Sequence, residues 1–95
     1  MQAKKLFIII AYDISITKRR NKIVKLLENY GERINLSVFE CMLTESRFSE
    51  LRENIEILVN TKTDQVVYYT ICVDCYTKII KYPEKNNKTE IVVTT

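Results

Sequence analysis

The chain has 95 residues, 15 Lys plus Arg against 12 Asp plus Glu, a formal net charge of +3 and 46% apolar positions. This predicts one packed domain and excludes an intrinsically disordered chain, while a single Gly and a single Pro exclude collagen-like or linker-rich architectures. The core available to a chain this short is thin, so pairing with a second copy would add burial. His is absent, which removes Ser-His-Asp, Cys-His and His-based zinc chemistry together.

The first element predicted is a strand at Leu6 to Tyr12, a short apolar run rich in β-branched residues that reads as buried on both faces and central in its sheet. It is far too short for a membrane span and lacks the small-residue cleavage site of a signal peptide, so a cytoplasmic protein with no membrane partner is expected. Ile23, Leu26, Leu27 and Tyr30 then recur at helical spacing. A helix over 17–30 is predicted, with Thr17 as N-cap and Gly31 past the last turn. Ile34 to Leu43 reads as a strand with a possible bulge at Glu40, and Thr44 as the cap of a helix over 45–59 whose stripe is Phe48, Leu51, Ile55 and Leu58. After the polar turn 60–64, residues 65–72 form the next strand, and 83–95 form a tail with a short β-prone run at Ile91 to Val93.

Two helices on one face of a mainly antiparallel sheet define an α+β, ferredoxin-like (split βαβ) sandwich, with the whole of 1–95 as its single domain. The other sheet face is left uncovered, and the detached 91–93 run is a candidate to cross to the sheet edge of a second copy in a homodimer.

Asp13 stands where the buried strand ends and a helix begins, a position where side chains on a rigid scaffold meet ligands and where Asp also serves as an ordinary turn or cap residue. Downstream, Lys18, Arg19, Arg20, Lys22 and Lys25 have no intervening acid. Helical geometry puts Lys18, Lys22 and Lys25 opposite the apolar arc, as a solvated stripe, and turns Arg19 and Arg20 toward the sheet end that carries Asp13. Either an Asp13–Arg ion pair or an anion held between guanidinium forks fits this arrangement. Cys41, Cys72 and Cys75 are an odd count without a secretory signal, hence reduced thiols. Cys72-Val73-Asp74-Cys75 has the spacing of zinc knuckles and redox sites, but it supplies two metal ligands without a second pair, so against a metal or redox role Cys72 is expected to end the strand and pack as a small apolar residue. Tyr68 and Tyr69 face opposite sides of their strand, which defeats a paired base-stacking platform and predicts core packing for both.

Tyr12-Asp13-Ile14-Ser15, Lys18-Arg19-Arg20-Asn21-Lys22, Tyr30-Gly31 and the segment Arg33 to Cys41 together resemble the CRISPR-associated protein two family, the small partner of the CRISPR integrase in spacer acquisition. The resemblance implies a ferredoxin-like βαββαβ homodimer with its terminal strand exchanged between protomers. It also implies a magnesium-dependent (or manganese-dependent) endonuclease activity, a phosphodiesterase acting on RNA or DNA. Asp13 resembles the metal-binding aspartate, and Arg20, Arg33, Ser37 and Phe39 resemble the catalytic neighbourhood. Ile16, Lys22 and Asn35 depart from the family pattern. The expected partners are the integrase, CRISPR-associated protein one, and nucleic acid, either duplex DNA or single-stranded RNA, gripped through Lys18, Arg19, Lys22 and Lys25. A non-catalytic DNA-binding scaffold dimer and a toxin-like ribonuclease of the same fold are the alternatives.

Overall fold

The apolar run at the start of the chain forms β1 (Lys5–Asp13), which pairs antiparallel with a strand on each side. The structure, a computed structural model, describes residues 4–82, and the predicted 91–93 strand and its exchange between protomers lie outside them. After β1 come α1 (Thr17–Glu28), β2 (Gly31–Asn35), β3 (Val38–Thr44), α2 (Glu45–Leu58), β4 (Gln65–Ile71) and a single helical turn, α3 (Val73–Tyr76). The sheet order is β2-β3-β1-β4. The βα-strand unit from β1 to β2 is therefore split by β3, the arrangement of an α+β ferredoxin-like sandwich.

Alternation along β1 sends Ile8, Ile10 and Tyr12 under the helices, where they meet Ile23 and Leu27 of α1, Phe39, Cys41 and Leu43 of β3, and Leu51 and Ile55 of α2. The other track of β1 carries Phe7, Ile9, Ala11 and Asp13, whose register partners include Val38 and Met42 on β3 and Val67, Tyr69 and Ile71 on β4. This second face is covered at one end, where the Tyr76 ring of α3 lies 4.4 Å from that of Phe7. Tyr69 lies on it with 55% of its surface exposed, so it does not pack in the core as predicted, whereas Tyr68 is edge-on to Phe48 at 5.5 Å. Burial, then Glu56, pushes the Tyr68 phenol up to about 12.

Thr44 caps α2 as expected, its hydroxyl accepting from the Arg47 amide at 3.2 Å. Thr17 does not cap α1. The cap position belongs to Ile16, which provides no side-chain acceptor, and Thr17 is the first helical residue. The segment predicted as one strand is a hairpin whose two-residue turn, Leu36-Ser37, holds neither Gly nor Asn, with the irregularity between Arg33 and Asn35 rather than at Glu40. Gly31 opens β2 instead of closing α1, because a Cβ there would run into the Glu40 carbonyl oxygen and stand 2.6 Å from Cys41 Sγ. Gly31→Ala is therefore expected to destabilise the fold by about 1–3 kcal/mol, the usual range for forced overpacking, read as a lower midpoint in thermal or urea unfolding.

Candidate active site

Asp13 ends β1 opposite Gln65, exposed, on the sheet face that the helices do not cover. Among the described residues its carboxylate has neither an ion pair nor a side-chain hydrogen bond. The neighbouring arginines are committed elsewhere, so the Asp13–Arg ion pair allowed by the spacing does not form. Arg20 turns back on the loop, donating from Nε and Nη2 to the Ile14 carbonyl at 3.3 and 3.1 Å and from Nη1 to the Thr17 hydroxyl at 3.4 Å. Arg19 reaches Asp64, with Nε 2.6 Å from Oδ2 and Nη2 3.2 Å from Oδ1.

Asp64 is the residue that sequence reasoning missed, having been read only as part of a polar turn. Its side chain has no solvent exposure. Besides Arg19 it accepts from the Ser15 amide at 3.1 Å, the Asn60 amide at 2.9 Å and the Thr63 hydroxyl at 3.1 Å. The Arg19 guanidinium first, then the Asn60 and Ser15 amides and Thr63, hold the Asp64 carboxyl well below the usual carboxylate range against the opposing effect of burial. One carboxylate thus ties the loop before β4 to the segment that follows Asp13 and to the start of α1. It also supplies negative charge at a helix end whose own first turn contains no acid.

On the other side, the hairpin turn is tied to β1. Tyr12 donates its amide to the Ser37 carbonyl at 3.0 Å and its hydroxyl to the Leu36 carbonyl at 2.8 Å, and Arg33 Nη2 donates to the same Leu36 oxygen at 2.8 Å. Ser37 and Arg33, both exposed, are thereby held at the Asp13 end of the sheet. Phe39 is not: with 0% of its surface exposed and its ring 6.2 Å from that of Tyr12, it belongs to the core and cannot touch a substrate.

Lys18, Lys22 and Lys25 are exposed along α1, as predicted. Arg19 leaves that set, because its guanidinium is spent on Asp64. For a divalent cation, the described residues offer no cluster of three or more acidic or thiol side chains. A lone carboxylate such as Asp13 could hold only a cation that keeps most of its waters, as magnesium does, and does not make an all-protein cage.

The chain is thus a small α+β ferredoxin-like sandwich with an unpaired carboxylate at the end of its first strand and exposed lysines along the adjoining helix. The profile of the family described as CRISPR associated protein Cas2 matches residues 6–79. The chain is 41% identical over 75 residues to CRISPR-associated endoribonuclease Cas2 1 of Chloroflexus aurantiacus, covering 78% of this chain and 81% of that one. It is 39% identical over 66 residues to a CRISPR-associated endoribonuclease Cas2 of Thermus thermophilus, covering 70% of each. Among solved structures, Streptococcus pyogenes Cas2 at pH 6.5 aligns with TM-score 0.71 and 25% identity, covering 79% of this chain and 96% of that one. This chain belongs to the Cas2 family of CRISPR-associated proteins.

The Asp64 hub has a pH signature. Because its folded pKa is depressed below the ordinary unfolded value of about 3.9, its stabilisation is fully present above that value and is lost as pH falls through and below it. Asp64→Asn should lower the unfolding midpoint at pH 7, and the gap from wild type should close as pH drops below about 4. A gap of constant size down to pH 3 would show that the charge of Asp64 is not what stabilises the loop.

Proposed function

We propose that the chain acts in the cytoplasm as a homodimer in CRISPR spacer acquisition beside the CRISPR integrase, and that paired Asp13 side chains hold magnesium for cleavage of phosphodiesters in RNA or DNA. The observation that supports this reading is the placement of Asp13: it lies on the same sheet face as Ile9, Ala11, Val67 and Tyr69, at the strand end, with no partner among the described residues. A second copy covering that apolar face through a two-fold axis would bring a second Asp13 toward the first, supplying the additional carboxylate that one chain lacks. Relatives named endoribonuclease and endonuclease support the reaction class.

In this reading Asp13 is the cation ligand, and a cation there would supply an activated water and neutralise charge on the phosphodiester. Arg20 holds the Ile14 carbonyl, and Asp64 holds the Ser15 amide, so the backbone following the ligand is fixed from two directions. In the same reading Arg33 and Ser37, held at this end of the sheet by the hairpin turn, would contact phosphate oxygens. The exposed Lys18, Lys22 and Lys25 favour a second, scaffold reading, in which the dimer grips a duplex backbone while the integrase performs the chemistry.

Asp13→Asn separates the two readings, since the amide is nearly isosteric but a far weaker ligand for a hard cation. The variant is expected to keep its fold and dimer and to lose intrinsic cleavage by more than the roughly 10- to 100-fold that removing a supporting group costs a metal site, while still supporting integrase-dependent spacer insertion. Full cleavage by the variant would remove the metal site, and a folded, dimeric variant unable to integrate would remove a purely structural role. Wild-type cleavage should need magnesium or manganese and rise with pH, because the attacking water must lose a proton.

Replacing Lys18, Lys22 and Lys25 with Gln should weaken binding to duplexes of every sequence and reduce the slope of log affinity against log salt by up to roughly 0.9 per lost phosphate contact. An unchanged slope would place the nucleic-acid face elsewhere.

A further inference from the structure

The Cys72–Cys75 pair lies away from the proposed site, and its geometry is not that of two packed apolar residues. Both thiols are exposed, which corrects the expectation that Cys72 packs as a small hydrophobe. The chain turns sharply as it leaves β4, with the Tyr76 amide donating to the Cys72 carbonyl at 2.8 Å, so that Cys75 is folded back over Cys72. The Cys75 amide donates to Cys72 Sγ at 3.4 Å, and the Cys75 thiol is hydrogen-bonded to the same sulfur, which raises its pKa. Cys72 Sγ, which accepts the Cys75 amide, is thus held beside the Cys75 thiol at the turn. Cys41, by contrast, is buried under the helices with its thiol pushed up to about 11, mainly by burial.

We propose that Cys72 and Cys75 form a redox-active dithiol that closes to an intramolecular disulfide by exchange with low-molecular-weight disulfides. The Cys72 thiolate attacks one sulfur of the small disulfide, forming a mixed disulfide and expelling one thiolate. Cys75 then gives up its proton and attacks Cys72 Sγ, forming the Cys72–Cys75 bond and expelling the second thiolate. The protein loses two electrons and two protons, and the small disulfide becomes two thiols. Closure adds a covalent link across the turn that seats Tyr76 on Phe7, fixing the direction in which the chain leaves the sheet. The pair lies at the opposite end of β4 from Gln65, the partner of Asp13, about 20 Å along the strand, so the inference stands independently of the catalytic reading.

The test is titration of the full-length chain with mixtures of oxidised and reduced glutathione, followed by acid quench, alkylation and mass spectrometry. Wild type is expected to lose both the Cys72 and Cys75 alkylation sites in one step, with a mass lower by two hydrogens, while Cys41 stays reduced. Cys75→Ser should instead accumulate glutathione on Cys72, trapping the intermediate. Cys41→Ser should behave as wild type. A wild-type chain that retains both thiols under oxidised glutathione, or that stops at the mixed disulfide, overturns the proposal. So does stoichiometric zinc in the purified chain that is released by Cys72→Ser with Cys75→Ser, because it would make the pair a metal ligand set.

Discussion

Everything positioned in this molecule depends on the register of β1. It is hydrogen-bonded on both edges, to β3 and to β4, and its side chains must satisfy two different faces at once. Because the side-chain period is two, Ile8, Ile10 and Tyr12 fill the space under the helices while Phe7, Ile9 and Ala11 form the open face. This is why the run is apolar at every position instead of alternating. Asp13 is the first charged residue on the open track after that run, and it arrives where pairing with β4 ends. A slip of one residue would push Asp13 under the helices and Tyr12 into solvent, so burial of the core also fixes where the carboxylate emerges.

The second constraint is electrostatic and non-local. α1 begins without a side-chain cap or an acid in its first turn, which by itself makes a weak start. Asp64 compensates from 45 positions away in the chain, neutralising Arg19 and receiving the Ser15 amide on one carboxylate. With Arg19 satisfied internally, the basic character of α1 resolves into two parts: a guanidinium that belongs to the fold, and the exposed lysines that remain available to an anionic partner. The Arg47 guanidinium, 4.4 Å over the Tyr30 ring, ties the far end of the α1 segment to α2 in a similar way.

The parts of this architecture legible in the sequence are those governed by local periodicity. The core strand, the apolar stripes of both long helices, the Thr44 cap and the exposed lysines follow from spacing alone. What spacing could not show has a different cause in each case. The hairpin turn at Leu36-Ser37 carries no turn-forming residue and is held instead by Tyr12 and Arg33, so its signal lies in tertiary hydrogen bonds. Gly31 resembles a helix terminator, yet what demands it is the backbone of β3 passing too close for a Cβ. Phe39 sits in the segment that resembles the family's site, but its inward parity on β3 places it beneath that site. Asp64 and Arg19 are unremarkable separately and become a hub through chain topology.

The open face is itself divided, and the division directs the chain after α3. Along β1 and β4 it is apolar, but at the β2–β3 edge Glu32 and Glu40 stand directly opposite each other, an unfavourable pairing of like charges. Lys81 answers it, its ammonium 2.8 Å from Glu40 Oε2, so the segment following α3 is drawn back across the acidic edge. An ion pair with one half-exposed partner is worth at most about 1 kcal/mol, too little to account for stability but enough to choose between otherwise equivalent paths. The chain's own cation thus settles over the acidic half of the face, while the apolar half, with Tyr69 exposed on it and Asp13 at its margin, stays open among the described residues.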